Sequence, residues 1–333
     1  LPTASFDASI LLMVLPPAAF AVAALAARGR ARVLSGVAIA LFLPTHLAEM
    51  PRLYPTFPSR LFYPPVPELD ALPRADEPYR TTALGYDLVP NQSALYGLED
   101  VRGYQAVENA RSASTYSLWC VPQPVWFNRI DDLTKPFLSF LNVRFAIAGP
   151  GQAVPAGWRE LRRGPRCAVF ENPAALPRAF APESVRFVPD PSKTVELMRS
   201  CRDFSKVAWI EDSARPEGEA PNGRARVTAT ARGADLDVHV DAQSRSWIVV
   251  SQTAWRGWEA REGARLLPLR FANQAFLAFE VGPGRHEVRL EYRPRSFRLG
   301  VGLALASAAA LVAVGILGRR RARTRIAPNA PAI

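Results

Sequence analysis

Asp100 and Arg102 place a carboxylate and a guanidinium two residues apart, directly before Gly103. Alternate side chains of an extended segment point to the same side, so the two groups can form a charge-assisted pair. A fixed carboxylate beside a planar guanidinium can bind sugar hydroxyls or a phosphate. The alternative is a structural ion pair that anchors the turn, since no second acid or base lies in register with it.

Two aromatic pairs could add a stacking surface. Tyr96 and Tyr104 lie on either side of the charged pair, and they either stack on a sugar ring or close a hydrophobic core. Trp255 and Trp258 bracket Arg256-Gly257, which we predict to be a turn between two strands because glycine allows a tight bend. Indoles at the rim of a sheet suit carbohydrate binding, whereas packing beneath the turn or contact with lipid headgroups is the alternative.

The remaining polar candidates are isolated from one another. Asn273 precedes an apolar strand, where it either hydrogen-bonds a ligand or serves the turn. The chain lacks a Gly-rich phosphate loop, a Gly-x-Ser-x-Gly elbow and a His-Glu-x-x-His motif. Cys120, Cys167 and Cys201 are far apart, and their spacing selects neither a metal site nor a disulfide. We therefore predict no metal, no cofactor and no catalytic residue in this chain.

The charge of the chain is unevenly distributed. Its 41 Lys and Arg residues outnumber its 30 Asp and Glu residues, which gives a formal net charge of +11 and raises the question of a nucleic-acid partner. Eight of the arginines, however, lie in two clusters, at residues 28–32 and 319–325, each beside an uncharged apolar run. We interpret the basicity as a membrane-topology signal and predict no nucleic-acid partner.

Uncharged apolar runs cover residues 9–27, 33–48 and 299–317, near the length of about 17–25 residues that a membrane-spanning helix needs. Because arginine-rich flanks stay in the cytoplasm, these runs predict a multi-pass protein of the plasma membrane with residues 50–298 extracytoplasmic and a cytoplasmic tail. Residues 33–48 are short, so a soluble core helix or a re-entrant segment is the alternative. The chain begins Leu1-Pro2-Thr3, which we interpret as a fragment or a processed piece.

The predicted fold class is a membrane protein with α-helices and an α+β exterior region. Its segments are two membrane helices (residues 1–49), a Pro-rich connector (50–78), an extracytoplasmic α/β module (79–182), a helix with an antiparallel β-sandwich (183–298), a membrane helix (299–317) and a basic tail (318–333). Exterior helices are predicted at residues 106–119, 133–141 and 192–201, the last with Ser192 as N-cap. Period-two alternation predicts strands at residues 225–231, 236–240, 247–252, 258–261, 266–270, 275–281 and 286–292.

Several segments in order resemble one family, the bacterial multi-spanning membrane proteins of the YfhO type. These are Asn91 to Tyr104, which reads NQSALYGLEDVRGY; residues 141–145, LNVRF; residues 170–179, FENPAALPRA; and residues 251–258, SQTAWRGW. Ala272-Asn273, residues 283–286 and residues 292–297 continue the resemblance toward the last apolar run. The resemblance covers most of residues 79–317.

This family is related to membrane glycosyltransferases that take sugar from a polyprenyl phosphate, so the resemblance implies sugar transfer as the parent activity. Such enzymes are thought to place a catalytic acid in an exterior loop between their first membrane helices, and this chain has no such stretch. Whether the chain is itself an enzyme therefore stays open. The resemblance and the residue chemistry together give these candidate ligand-binding residues: Asn91, Tyr96, Asp100, Arg102, Tyr104, Trp255, Trp258 and Asn273.

Our leading hypothesis is the C-terminal part of a YfhO-like protein that acts in glycosyl transfer to cell-envelope polymers or lipids. The exterior domain would recognise glycan or acceptor. The expected partners are the lipid bilayer and a polyprenyl-phosphate-linked sugar or an envelope glycan. The alternative is a non-enzymatic envelope protein whose exterior sandwich is a glycan- or protein-binding platform, which the lack of a catalytic constellation favours.

Overall fold

A computed structural model describes residues 64–73, 77–103, 108–121 and 127–324. The chain divides into two compact units, Leu1–Pro65 and Val66–Ile333, and the account below concerns the second. Its α-helices are α1 (Ala110–Ser114), α2 (Pro136–Phe140), α3 (Thr194–Arg199) and α4 (Arg295–Thr324). Short 3-10 turns cover Pro67–Ala71, Gln92–Tyr96, Tyr116–Leu118 and Pro191–Lys193.

The first four strands form one mixed sheet, here called the N-terminal sheet, in the order β1-β2-β4-β3. The strands are β1 (Arg80–Ala83), β2 (Val143–Ala148), β3 (Arg159–Arg163) and β4 (Ala168–Glu171). β1 and β2 are parallel, and the other two pairs are antiparallel. A parallel pair requires a long crossover, and the segment between β1 and β2 supplies it and carries α1 and α2.

The remaining strands form two larger sheets. The central sheet has the order β5-β11-β15-β14-β7-β6-β8, and the outer sheet has the order β13-β12-β16-β10-β9. The central strands are β5 (Ala179–Phe180), β6 (Ser184–Phe187), β7 (Val207–Ile210), β8 (Gly218–Pro221), β11 (Ser246–Thr253), β14 (Arg270–Ala272) and β15 (Phe276–Val281). The outer strands are β9 (Ala225–Arg232), β10 (Asp235–Ala242), β12 (Trp258–Glu262), β13 (Arg265–Leu267) and β16 (Gly284–Tyr292).

The central sheet is covered on both faces, as β11 shows. Trp247 and Val249 pack into a core shared with α2 and the N-terminal sheet, while Ile248 and Val250 pack into a core shared with the outer sheet. Neighbouring side chains of a strand point to opposite faces, so a strand with two covered faces becomes a continuous apolar run. Full burial of each apolar side chain of this kind contributes about 1.5–3 kcal/mol to the stability of the folded state.

The strands predicted in residues 225–292 are confirmed, with one exception. The run predicted at residues 266–270 is divided into β13, which lies in the outer sheet, and β14, which lies in the central sheet. Pro268 lies between them, and proline lacks the N–H that a ladder requires. The break lets the chain pass from one layer to the other.

The predicted fold class is contradicted. The described part of the chain is built mainly from strands in three sheets, two of them mixed, and not from an α/β module beside a purely antiparallel sandwich. Within the described ranges, no helix has both the length and the apolar character that a membrane crossing requires. The runs predicted to span at residues 9–27 and 33–48 lie outside those ranges, and residues 299–317 lie within α4.

The predicted exterior helices are present in shortened form. Of the predicted helix at residues 106–119, the structure describes residues 108–119, where only α1 and the 3-10 turn Tyr116–Leu118 are helical. Asn109 caps α1 by accepting from the N–H groups of Arg111 and Ser112. Pro136 begins α2, as expected for the first turn of a helix. Ser192 does not cap α3. Asp190 instead accepts from the Ser192 N–H at the 3-10 turn that precedes the helix.

Candidate functional site

Asp100 and Arg102 form the predicted ion pair inside the protein. Arg102 Nη2 lies 2.9 Å from Asp100 Oδ2, and Arg102 Nε lies 3.1 Å from Oδ1. The Arg102 backbone N–H also donates to Oδ1, and Nη2 donates to the Leu88 carbonyl. The side chains are only 3% (Asp100) and 0% (Arg102) exposed, so the pair holds the loop and does not present its charges on the surface.

The residue before this pair, Glu99, is the centre of a larger polar group, here called the Glu99 cluster (Arg80, Glu99, Arg178 and Gln252). Arg80 Nε donates to Glu99 Oε1 at 2.9 Å, and Arg178 Nη2 donates to Oε2 at 2.7 Å. Both guanidinium groups also approach the Gln252 side-chain oxygen at 3.4 Å. One carboxylate thus joins two cations, which leaves the cluster with a net positive charge.

The two arginines are fixed by backbone and amide groups from both sheets. Arg80 Nη1 donates to the carbonyls of Leu141, at 3.0 Å, and Ser251, at 2.6 Å. Arg178 Nε donates to Asn142 Oδ1 at 3.0 Å, and Asn142 itself has a positive φ of 63° at the start of β2. The cluster therefore joins the N-terminal sheet to β11 of the central sheet. A guanidinium held at several points presents its charge in a defined orientation.

The pKa values in the cluster follow from burial and from its charges. Burial and the neighbouring charge of Arg178 lower the pKa of Arg80 to about 10, so Arg80 remains a cation at neutral pH. Burial acts to raise the pKa of Glu99, but the charges and hydrogen bonds of Arg80 and Arg178 outweigh it, and the pKa is lowered. The carboxylate is therefore ionised, and about half of its side-chain surface faces solvent (48%).

An aromatic group lies at the end of the outer sheet. Trp258 and Tyr292 are cross-strand neighbours on β12 and β16, with ring centroids 5.4 Å apart and planes tilted by 49°. Trp255 precedes this pair in the turn and is 58% exposed. Gly257 in the same turn has φ 116°, and its carbonyl accepts from the Arg293 N–H at 2.7 Å. The turn is thus fixed to the end of β16.

Three members of the Glu99 cluster (Glu99, Arg178 and Gln252) and the aromatic group line one cleft of about 580 Å³, here called the aromatic cleft. This volume is in the range of small-molecule sites. The cleft offers flat apolar surfaces on one part of its lining and fixed charged and amide groups on another. Its principal lining residues are Glu99, Glu108, Asn109, Arg178, Asp235, Gln252, Thr253, Trp255, Trp258 and Tyr292.

The structure brings only some of the predicted site residues together. Trp255 and Trp258 both line the aromatic cleft. Asn91, with φ 72°, precedes the 3-10 turn Gln92–Tyr96, which ends at Tyr96, and neither residue lines the cleft. Asn273 is fully buried in the turn between β14 and β15, where its side-chain oxygen accepts from the Trp209 N–H at 2.9 Å. Tyr104 lies outside the described residues.

Sequence reasoning missed Glu99, Arg178 and Gln252 as lining residues. Each lies inside a segment that carries the family resemblance: Glu99 directly before Asp100, Arg178 in LPRA and Gln252 in SQTAW. Their positions within these segments were the signal by which the sequence could have identified them. Their mutual contact was not predictable, because it depends on how the sheets are arranged.

Among the described residues, no group of three or more His, Cys, Asp or Glu side chains is arranged to hold a metal ion. Cys120, Cys167 and Cys201 are free. His286 instead lies in an ordinary hydrogen-bonded setting, with Nδ1 2.6 Å from Glu262 Oε1 and Nε2 3.0 Å from the Gly282 carbonyl oxygen.

The chain thus folds into a three-sheet domain with a cleft, and its last strand is followed directly by a long helix. The family model described as bacterial membrane protein YfhO matches residues 222–304, which extend from the segment before β9 into α4. The resemblance to the YfhO family is confirmed for this stretch, which includes Trp255, Trp258 and Tyr292, and it indicates a membrane-associated role in the bacterial envelope. Neither the comparison with curated proteins nor the comparison with solved structures finds a match.

Proposed function

We propose that this domain binds a glycan or a glycan acceptor in the aromatic cleft, within a YfhO-like protein that acts in glycosyl transfer to cell-envelope polymers or lipids. The observation that carries the proposal is the convergence of Trp255, Trp258 and Tyr292 with the Glu99 cluster in one cleft. The cluster brings charges from distant parts of the chain to the same place as the exposed indole.

Sugar rings have the two properties that this lining complements. Their C–H faces are apolar and flat enough to stack on indole and phenol rings. Their hydroxyl groups form hydrogen bonds, which are stronger when the protein partner is charged. Because the Glu99 cluster is already fixed by its internal bonds, little conformational entropy is lost when a ligand binds to it.

The state of Glu99 favours recognition over catalysis. Each of its carboxylate oxygens accepts from one arginine, and its pKa is lowered, so it is a poor proton donor at neutral pH. In the proposal, the bond-making step belongs to another part of the protein. The same observation favours a second candidate function, a glycan-binding platform without enzymatic activity.

The proposal places the domain on the extracytoplasmic side of the bacterial inner membrane, where envelope glycans are assembled. The lipid bilayer and a polyprenyl-phosphate-linked sugar would be its partners. The match to a bacterial membrane-protein family supports this location.

Calorimetric titration of the full chain with oligosaccharides of glucose, galactose and N-acetylglucosamine tests glycan binding. We expect at least one series to bind, and Trp255→Ala to weaken that binding at least fivefold because the exposed indole is removed. Leu266→Ala is the matched control, since Leu266 is 55% exposed on the outer sheet, close in sequence to Trp255, and does not line the cleft. Absence of binding to every sugar, or equal affinity of the Trp255 variant and the parent chain, would refute glycan binding in this cleft.

Sugar transfer requires a separate measurement. The full chain is supplied with a polyprenyl-phosphate sugar and with the oligosaccharide that it binds. Transfer would assign the reaction to this chain. Glycan binding without transfer would support the recognition role and the platform function.

A further inference from the structure

A second cavity, of about 380 Å³, adjoins the aromatic cleft and is here called the polar pocket. The two spaces share Glu99, Asn109 and Thr253 in their linings, so these three residues form a common wall between them. The polar pocket extends toward α1 and the 3-10 turn that follows it. Beyond the shared residues, its polar lining includes Arg80, Asp100, Ser112, Thr115, Tyr116 and Asn128.

Ser112 gives a specific sign that this pocket is a binding site. Its hydroxyl oxygen is buried, and it has no hydrogen-bond partner within the described part of the chain. Buried polar atoms are almost always paired, and each exception needs an explanation. Because Ser112 lines the pocket, a ligand hydroxyl can supply the missing bond.

Besides the charged groups of Arg80, Glu99 and Asp100, the lining of the polar pocket offers neutral donors and acceptors. Tyr116 and Asn128 are both buried, with 9% and 5% of their surface exposed. Burial raises the pKa of Tyr116 to about 12, so its hydroxyl keeps its proton at neutral pH. Trp119 and Phe276 add apolar surface to the same pocket. Hydroxyl and amide groups beside aromatic surface suit a second sugar ring.

The polar pocket differs from the aromatic cleft in the kind of contact that it can make. The aromatic cleft presents a highly exposed indole, Trp255, whereas the pocket presents buried polar groups. A ligand that fills both must therefore be long enough to pass the shared wall formed by Glu99, Asn109 and Thr253. A single sugar ring can occupy one of the two spaces only.

We propose that the aromatic cleft and the polar pocket are neighbouring subsites, and that the ligand is an oligosaccharide of at least two sugar residues. One residue stacks on Trp255 and Trp258, and the next forms hydrogen bonds with Ser112 and its neutral neighbours. This inference rests on the proposed function, because it specifies the length of the glycan that the cleft binds.

The test compares the monosaccharide, disaccharide and trisaccharide of the sugar that binds, by calorimetry on the full chain. We expect the disaccharide to bind at least tenfold more tightly than the monosaccharide. Ser112→Ala should weaken disaccharide binding threefold to tenfold and leave monosaccharide binding unchanged. Trp255→Ala should weaken both. Ser114→Ala is the matched control, since Ser114 lies on the same helix, is exposed and does not line the pocket.

The outcomes separate this inference from the proposed function. Equal affinities for monosaccharide and disaccharide, or an equal effect of Ser112→Ala on both, would overturn the two-subsite inference and leave glycan binding intact. Absence of binding to all sugars would overturn the proposed function itself. Because the Ser112 hydroxyl has no partner to lose among the described residues, the variant should retain the Tm of the parent chain, and a Tm measurement verifies that it is folded.

Discussion

Gly257 lies against Pro294, and a Cβ atom placed on Gly257 would be only 2.9 Å from the Pro294 Cα atom. Gly257 also has φ 116°, a conformation that side-chain-bearing residues rarely adopt. The turn that carries Trp255 and Trp258 can therefore approach the end of β16 this closely only with glycine at this position. The packing of the aromatic cleft thus depends on a residue that has no side chain.

Gly257→Ala should lower the free energy of unfolding by about 2–4 kcal/mol, because it adds backbone strain and a clash with a backbone atom. Urea denaturation of the full chain measures the loss. Gly263→Ala is the matched control: Gly263 has φ 57°, but no atom lies within 4 Å of the added Cβ. The control should lose only about 1–2 kcal/mol of the free energy of unfolding, which is the cost of a left-handed backbone conformation for a residue with a side chain. Equal losses in the two variants would contradict the role of the Pro294 contact.

Glu99→Gln should destabilise the domain, because it leaves Arg80 and Arg178 as neighbouring cations without their shared carboxylate. Removing one partner of a buried ion pair costs about 3–5 kcal/mol, and the partial exposure of Glu99 reduces the expected loss to about 1–3 kcal/mol. Glu196→Gln is the control, since Glu196 pairs with Arg199 at the surface and its side chain is 78% exposed. The control should change stability by less than about 0.5 kcal/mol.

The lowered pKa of Glu99 also predicts how stability depends on pH. A carboxylate with a lowered pKa in the folded state contributes stability above its ordinary pKa of about 4.3, and this contribution is lost as the pH falls through the lowered value. The parent chain should therefore lose more stability than Glu99→Gln between about pH 5 and pH 3. Denaturation at several pH values gives the free energy of unfolding of both chains. If it falls equally with pH in the parent chain and in Glu99→Gln, the prediction is contradicted.

Arg111 connects α1 to the central sheet by two kinds of contact. Its guanidinium pairs with Glu211, with Nη2 3.1 Å from Oε2, and lies 3.9 Å from the centroid of the Phe271 ring. Arg111→Lys should lower the free energy of unfolding by about 1–2 kcal/mol, because an ammonium group can form neither the two-point pairing with Glu211 nor the planar stacking on Phe271. A double-mutant cycle with Glu211→Gln measures the ion-pair part. If Arg111→Lys has the stability of the parent chain, the planar group is not required.

The cysteine thiols should react slowly in the folded protein. Burial, followed by the charges of Glu68 and Asp87, raises the pKa of Cys167 to about 11, and burial also raises the pKa of Cys120 and Cys201. Only the thiolate is alkylated, so iodoacetamide at pH 8 should modify Cys167 roughly a hundredfold more slowly than in 8 M urea, where its pKa returns to about 8.5. Peptide mass spectrometry follows each site. Equal rates in buffer and urea would contradict the burial of these thiols.

Strands with one covered face or a clear alternation were predictable from the sequence, as β9, β10 and β16 show. β1 and β3 were not. β1 has the sequence RTTA and is buried throughout, whereas β3 has the sequence RELRR and is exposed throughout, so neither alternates. The positions of these two strands are set by pairing within the N-terminal sheet, a long-range effect that a local pattern does not report.

The candidate site was predictable to a similar degree. Trp255 and Trp258 were found because indoles beside a glycine turn are conspicuous in the sequence, and both line the aromatic cleft. Glu99 and Arg178 lie 79 residues apart in the chain, and nothing in their local sequence indicates a contact. Charged residues are usually solvated, so a buried arginine becomes recognisable only when the fold supplies its partners.

Arg80 donates to the carbonyl of Ser251, which lies 171 residues later in the chain. When β1 has just left the ribosome, the Ser251 carbonyl that accepts from this guanidinium has not yet been synthesised. Until translation reaches β11, the arginine remains hydrated and the N-terminal sheet lacks the bond that joins it to the central sheet. A nascent chain that stops before Ser251 therefore leaves this guanidinium without one of the carbonyls that hold it in the folded domain.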